Sequence, residues 1–244
     1  DATLDWQTFS SSAGPLIEGD GDGAQFSIIG IDPPLHTRMR NLVSRGFTPR
    51  RIAELESLGR KLAVGYLDSI VDKGGCDIIE VLGAKLPMDM ICELVGVPGP
   101  DRDRVREWSN LFLYREPDRH EPPPIALEAM ANLQQYWMDL VAERKRSRQD
   151  DLVSLLIDAE LDGARLEDVE VARFINLLAA AGNETTTKLI GNAVVQLAQH
   201  PGERALLVRD PGLIPDAIEE ALRYEAPSQY QGRIALRDSS WYGQ

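Results

Sequence analysis

The chain has 244 residues, of which 43% are hydrophobic, and this is ample for one sizeable core. Its formal net charge of −13 argues against nucleic acid and against an anionic membrane surface as partners, since both are themselves negatively charged. No apolar run approaches the roughly 18 residues of a transmembrane helix. The two cysteines indicate a reducing compartment without structural disulfides. The composition therefore predicts a cytoplasmic protein with neither a membrane nor a nucleic-acid partner.

Helical periodicity dominates the sequence and strand-like alternation is scarce, which predicts a mainly α protein with a single domain over residues 1–244. Loops are predicted at 18–23, 115–124 and 161–163, where glycine, proline and acidic residues cluster. The first of these loops resembles a calcium loop only superficially, because Ala24 and Ile31 stand where an EF-hand needs a ligand and its closing glutamate.

The first predicted helix follows Asp32, a plausible N-cap, with Pro33 at its first position. Its apolar stripe consists of Leu35, Met39, Leu42 and Val43. His36 and Arg40 stand four residues apart beside this stripe, which suits them to bind an anion at the edge of a buried ligand. Taken alone, the two residues are better explained as the polar rim of an amphipathic helix.

A group of basic residues ends a later predicted helix. It consists of Arg144, Lys145, Arg146 and Arg148. The dipole at a helix C-terminus favours cations, so this group is predicted to be a solvated helix end rather than a docking patch.

The segment 177–187 is an apolar helical run interrupted by Gly182 and then by Glu184 and Thr185. Glycine inside a helix costs about 1 kcal/mol relative to alanine, and an acid in an apolar helix needs a partner. Gly182 would let a flat ligand approach the backbone, and Thr185 can bond the carbonyl of Ala181 and locally open the helix. Glu184 and Thr185 would then handle protons. The alternative is a core helix in which Gly182 merely lets another helix pack closely.

A further helix is predicted to begin at Pro215 and to end before Pro227. Glu220 and Arg223 lie three residues apart on it and can pair with each other. Most pairs at this spacing are solvated surface contacts, so the pair alone does not indicate function.

These motifs, taken together and in this order, closely resemble a bacterial cytochrome P450. The resemblance lies in residues 32–40, then 181–185, then 220–223 followed by Arg233. Segments 47–51, 92–98 and 150–156 also look like that family. The resemblance implies the cytochrome P450 fold, a helical core around haem with small β-sheets, of which this chain would be the central part, truncated at both ends.

The resemblance implies haem b, iron protoporphyrin IX, as the cofactor. His36, Arg40 and Arg233 would hold the haem propionates, and Ala181 and Gly182 would border the oxygen pocket. The iron ligand of the family is a cysteine thiolate in a glycine-rich loop, which we expect beyond Gln244.

The remaining site residues also follow from the resemblance. Glu184 and Thr185 would deliver protons to dioxygen, and Leu177 and Ala180 would face substrate. The family's counterpart of the 220–223 pair is a structural pair buried beneath the haem.

Neither cysteine of this chain matches the cysteine loop. Cys76 lies in a Gly-Gly-Cys-Asp stretch, and Cys92 lies inside an apolar helical stretch ahead of the oxygen-pocket motif. We therefore expect no metal ligand among residues 1–244.

The implied function is a haem-dependent monooxygenase that inserts one oxygen atom of O2 into a hydrophobic small molecule. The alternatives are a haemless helical fragment or ligand-binding scaffold without catalysis, and a haem peroxygenase that uses peroxide. The resemblance also implies a monomer that draws electrons from a ferredoxin with its reductase or from a flavodoxin-type partner. A basic patch that could receive an acidic ferredoxin, or that is simply solvated, comprises Arg38, Arg45, Arg50 and Arg51.

Overall fold

The structure, a computed structural model, describes residues 3–15, 27–44, 46–119, 121–161 and 163–240. Within these ranges the α-helices are Leu35–Ser44 (α1), Pro49–Asp68 (α2), Lys85–Val95 (α3), Arg102–Leu113 (α4), Pro124–Arg146 (α5), Leu152–Asp158 (α6), Asp168–Gln199 (α7), Pro201–Arg209 (α8) and Ile214–Tyr224 (α9). The strands are Phe9–Ser10 (β1), Glu160–Leu161 (β2), Ala164–Arg165 (β3) and Ile234–Ala235 (β4). The mainly α prediction is confirmed. No helix in the described ranges combines the length and the apolar character needed to cross a bilayer.

The chain divides into two compact units. The first comprises Asp1–Ile52, Glu107–Leu177 and Tyr230–Gln244, and the second comprises Ala53–Arg106 and Leu178–Gln229. Helix α7 contributes its first third to the first unit and the rest to the second. The single domain stays a prediction, because two compact units are compatible with one folding domain or with two.

The first unit has its core along α5. Apolar residues recur on this helix at the three- and four-residue spacing that marks one helical face, and they are fully buried. They include Leu133, Trp137 and Val141. Helix α6 packs against this face, and the indole Nε1 of Trp137 donates to Asn176 Oδ1 on α7 at 3.1 Å.

Two short antiparallel sheets accompany the helices. Strands β2 and β3 pair antiparallel on either side of the predicted 161–163 loop, with Leu161 opposite Ala164. Strands β1 and β4 pair in the first unit, with Phe9 opposite Ala235, although they are remote in sequence. The Nε of Arg237 adds a 2.8 Å bond to Thr8 Oγ1 beside this sheet.

Helix α1 departs from its predicted start. It begins at Leu35, and the carboxylate of Asp32 does not cap it but accepts from Ser11 N at 2.8 Å and from Ser10 Oγ. The predicted apolar stripe is buried at its end, where Leu42 is 2% exposed, whereas Leu35 is 49% exposed. The carboxylate of Asp32 therefore connects this turn to β1, while its backbone carbonyl accepts from His36 N at 3.0 Å at the start of the helix.

The basic end of α5 corrects another prediction. Arg144 is only 1% exposed, and its Nε lies 2.5 Å from Asp151 Oδ2 while its Nη1 lies 2.6 Å from Glu143 Oε1. Asp151 is the N-cap of α6 and accepts from Ser154 N at 2.8 Å. The prediction of a solvated helix end is thus wrong for Arg144. Helix α6 starts soon after α5 ends, and its capping carboxylate therefore lies against the guanidinium. Lys145 does stay half-exposed.

Two features of the sequence lie outside the described residues, namely the glycine-rich stretch 18–23 and Arg45 of the basic patch. Elsewhere in that patch, Arg51 pairs with Asp150, so part of its charge is neutralised within the first unit. The proline-rich segment after Tyr114 connects α4 with α5, as predicted.

Candidate functional site

The centre of the candidate site is one turn of α7. Thr185 Oγ1 donates to the carbonyl of Ala181 at 2.8 Å, which confirms the predicted back-bond. We expected this bond to open the helix, but α7 stays α-helical through 181–185. The hydroxyl shares the Ala181 carbonyl without displacing the main chain.

Gly182 lies on a packed side of α7. A Cβ added to it would stand 2.7 Å from Ile91 Cδ1 and 2.8 Å from Ile91 Cγ1, so the side chain from α3 fills the space that glycine leaves. Of the two interpretations of Gly182, the structure thus supports close packing of a neighbouring helix. That Gly182 borders an oxygen pocket stays a prediction.

A different face of α7 is open. Ala181 and Thr185 are exposed and stand four residues apart, hence one above the other on one face. Ala180 beside them is half-buried in the second unit, and Leu177 is half-buried in the first. A small side chain and a hydroxyl on an exposed face leave room for a flat ligand. Gly182 is not part of this face.

Glu184 has a partner that the sequence analysis missed. Its Oε1 lies 2.6 Å from Lys188 Nζ, and both side chains are about half-exposed. The signal was available, because a glutamate four residues before a lysine is the favourable order on a helix. The carboxylate of Glu184 is therefore bonded to Lys188, and the hydroxyl of Thr185 to Ala181.

The predicted pairing of Glu220 with Arg223 is confirmed. The guanidinium Nε and Nη2 bond the two carboxylate oxygens at 2.7 and 2.6 Å, a bidentate arrangement. Arg223 thereby lowers the pKa of Glu220 below its ordinary value, and Glu220 raises that of Arg223.

The structure leaves this pair exposed, and its burial beneath a haem stays a prediction. The side chains of Glu220 and Arg223 are 59% and 68% exposed, and α9 has no buried residue. The described side-chain bonds that hold α9 to α7 lie at its C-terminal end. Beyond its last turn, Asn192 Nδ2 and Gln196 Nε2 on α7 bond Glu225 at 3.0 and 2.9 Å.

The three residues predicted to bind the haem propionates all belong to the first unit. His36 is half-buried on α1, and Arg40 stands one turn further along it and is exposed. Arg233 is also exposed and donates from Nη1 to Gly232 O at 2.8 Å. An imidazole and two guanidiniums suit carboxylate ligands in kind, and their binding to haem propionates stays a prediction.

The two cysteines differ in chemistry. Cys76 is exposed, whereas Cys92 is 1% exposed, and burial raises the pKa of its thiol to about 12. Cys92 is thus a protonated thiol that packs in the apolar core. In the part of the chain that the structure describes, no three His, Cys, Asp or Glu side chains cluster to hold a metal ion.

Comparison of the sequence with curated proteins finds relatives that cover most of this chain. The chain is 46% identical over 216 residues to "Putative cytochrome P450 123" of Mycobacterium tuberculosis, covering 88% of this chain and 54% of that protein. It is 42% identical over 216 residues to a vitamin D(3) 25-hydroxylase of Pseudonocardia autotrophica, covering 87% of this chain and 52% of that protein. The chain thus spans about half the length of these curated relatives. No protein-family model matches the sequence.

Solved structures agree. Substrate-free CYP109E1 from Bacillus megaterium superposes with a TM-score of 0.89 at 31% identity, covering 98% of this chain and 63% of that one. Mycobacterium marinum cytochrome P450 CYP268A2, in complex with pseudoionone, gives a TM-score of 0.88 at 34% identity, covering 98% and 60%. The predicted fold class is confirmed by these similarities.

Proposed function

Because the chain belongs to the cytochrome P450 family, we propose that it is the central part of a haem-dependent monooxygenase. The reaction inserts one oxygen atom of O2 into a hydrophobic small molecule. The observation that carries the proposal is the exposed face of α7, on which the hydroxyl of Thr185 is held by the carbonyl of Ala181 at 2.8 Å. Haem, when bound, supplies the oxygen-binding and oxidising chemistry.

His36, Arg40 and Arg233 would bind the haem propionates. Their donors are cationic or can become so, and charge-assisted hydrogen bonds to carboxylates are about twice as strong as neutral ones. Arg40 and Arg233 are exposed, so both guanidiniums are accessible to a ligand.

Thr185 would hold and release a proton at Oγ1. A helical threonine has two accessible rotamers because its hydroxyl can bond the carbonyl one turn back. In one rotamer the hydroxyl bonds Ala181 O, as in the structure, and in the other it would be free to donate to a ligand. The small side chain of Ala181 keeps that space open.

Glu184 would supply protons from solvent. It is half-exposed, and its bond to Lys188 is a surface pair, which is weak enough to break and re-form readily. In this arrangement Glu184 would take up a proton from solvent, and Thr185 would present one to the ligand.

The substrate we propose is an apolar small molecule. Relatives include the vitamin D(3) 25-hydroxylase and, at 35% identity over 217 residues, a methyl-branched lipid omega-hydroxylase of Mycobacterium tuberculosis. Leu177 and Ala180 are apolar and half-buried, which suits contact with such a molecule. Electrons would come from a ferredoxin or flavodoxin-type partner that docks on a monomeric enzyme.

The test is Thr185→Ala in the complete, haem-loaded polypeptide, with Thr185→Ser as the matched control that keeps the hydroxyl. Oxygen uptake, peroxide release and product are measured together. We expect Thr185→Ala to retain haem and substrate but to divert most reducing equivalents to peroxide, and Thr185→Ser to remain coupled. Unchanged coupling in Thr185→Ala would refute the proton role. Full turnover with peroxide alone in that variant would favour a peroxygenase.

A further inference from the structure

The second unit contains a set of contacts behind the candidate site. A π-helix, Ile79–Gly83, leads into α3, and together they form the segment 79–95. This segment meets α7 at three successive positions, which are Gly182, Thr187 and Gly191. A helix turns by about 100° per residue, so Thr187 and Gly191 share one side of α7 and Gly182 lies on the opposite side. The segment therefore contacts α7 from two sides.

The outer two contacts are close apolar approaches. Ile91 covers Gly182, as described above. At the other end, a Cβ added to Gly191 would stand 2.9 Å from Ile79 Cδ1. Ile79 also lies against Gly83, where an added Cβ would be 3.1 Å from the same atom. Isoleucine side chains therefore dock directly onto the backbone of α7 at both ends.

The middle contact is polar. Thr187 Oγ1 lies 2.8 Å from Gly83 O and 2.8 Å from Asn183 O, so its single proton is shared between two carbonyls. In an α-helix, Gly83 O would accept from the N–H of residue 87, but residue 87 is Pro87 and has no N–H. Thr187 thus supplies a donor to a carbonyl that the local sequence leaves short of one.

Glu184 and Thr185 lie between the contacts at Gly182 and Thr187. We infer that Thr187 is a positioning residue. Together with the two glycine contacts, its bond to Gly83 fixes the rotation and depth of the stretch of α7 that carries Ala181, Glu184 and Thr185. We name these three contacts the α7 clamp. The part of the inference that concerns coupling rests on the proposed function, whereas the clamp itself does not.

Positioning by the clamp matters because proton delivery depends on geometry. A displacement of about 1 Å at a reacting group can cost about a hundredfold in rate. The clamp contacts are made at Gly182, Thr187 and Gly191, so they restrain the helix without involving the exposed residues Ala181 and Thr185. Loss of the Thr187 bond should therefore leave substrate affinity unchanged and reduce coupling.

The experiment compares Thr187→Val, which keeps the shape and removes the donor, with Thr187→Ser, which keeps the donor. Thr186→Val is the matched control, because Thr186 is the exposed neighbour. The first measurement is amide hydrogen exchange of residues 79–87 and 181–187 in the purified chain, which needs no cofactor. We expect exchange about tenfold faster in Thr187→Val, as for one lost hydrogen bond, and wild-type exchange in the other two variants.

The second measurement is the ratio of product to oxygen consumed in the complete holoenzyme. We expect Thr187→Val to lower this ratio severalfold with KM unchanged, and Thr187→Ser to restore it. Should Thr187→Val be insoluble, Gly182→Ala with and without Ile91→Ala tests the same clamp. Gly182→Ala alone should mimic Thr187→Val, and the added space from Ile91→Ala should reverse it. Gly65→Ala is the control, a helical glycine with nothing within 4 Å of an added Cβ.

Each outcome decides a different point. Unchanged exchange in Thr187→Val would overturn the clamp. Faster exchange with unchanged coupling would overturn the positioning role while the clamp stands, provided that Thr185→Ala does uncouple the same enzyme. If Thr185→Ala is itself fully coupled, the proposed proton role fails and the positioning role fails with it.

Discussion

Two arginine–carboxylate pairs in this chain have the same chemistry and opposite surroundings. In the first unit, Arg144 and Asp151 meet at 2.5 Å with side chains 2% and 4% exposed. In the second unit, Arg223 and Glu220 meet at 2.6 Å with side chains 68% and 59% exposed. The helix-end pattern predicted a solvated Arg144, whereas the resemblance implied a buried Arg223. Spacing shows which groups can bond, but the energy of the bond depends on what covers it.

The difference has a structural cause. Arg144 continues the buried stripe of α5, and Asp151 caps the helix that packs on this stripe. Each charge is therefore removed from water and depends on the other. Arg223 and Glu220 stay in contact with water, which would solvate either residue if the other were lost.

The largest effect should follow Arg144→Ala. It strands the carboxylate of Asp151, so we expect a loss of about 3–5 kcal/mol in the free energy of unfolding, measured by urea denaturation. Lys145→Ala is the matched control at the same helix end, since its bond to Asp168 is half-exposed and contributes less than about 1 kcal/mol. Equal losses in the two variants would contradict the burial of the Arg144 pair.

A smaller effect should follow Asp151→Asn. Asparagine caps a helix as well as aspartate does, so the bond from Ser154 N is kept while the charge is lost. We expect about 1.5–3 kcal/mol of destabilisation, the range for hydrogen bonds to charged groups. Asp151→Ala removes both functions and should unfold at a lower urea concentration. If the Asn and Ala variants unfold at the same urea concentration, the helix cap contributes nothing to stability. The effect of Asp151 would then come from its charge alone.

The smallest effect should follow Arg223→Gln in the exposed pair. Arg223 lowers the pKa of Glu220 from its ordinary 4.5, so the pair stabilises the fold above that pH and loses this contribution as the pH falls through the lowered value. We expect the Glu220 pKa, followed by NMR titration, to return toward 4.5 in Arg223→Gln, with almost no change in melting temperature at neutral pH. A large drop in melting temperature would show that the pair is covered in solution.

Local contacts were predictable from the sequence. The bond from Thr185 to Ala181 and the pairing of Glu220 with Arg223 follow from helical spacing of three and four residues, and both are present. The pair formed by Glu184 and Lys188 obeys the same rule and was overlooked.

Contacts between remote segments were not predictable. Gly182 allowed either a ligand or a helix beside it, and only the position of Ile91, far away in the chain, decides between them. The carboxylate of Asp32 bonds Ser11 rather than its own helix for the same reason. Local patterns specify helices, whereas burial results from packing among segments whose arrangement no local pattern contains.

The pairing of β1 with β4 has a consequence for the order in which the molecule is built. Thr8 and Arg237, which bond beside this sheet, are 229 residues apart. On the ribosome, β1 emerges long before β4 exists, so it waits without its strand partner while the intervening helices form. Closing so long a loop is slow relative to helix formation, which makes this sheet a late event in maturation. Trp6 lies close to β1 and is 39% exposed, so its fluorescence should change in the last kinetic phase of refolding, after helical circular dichroism has recovered.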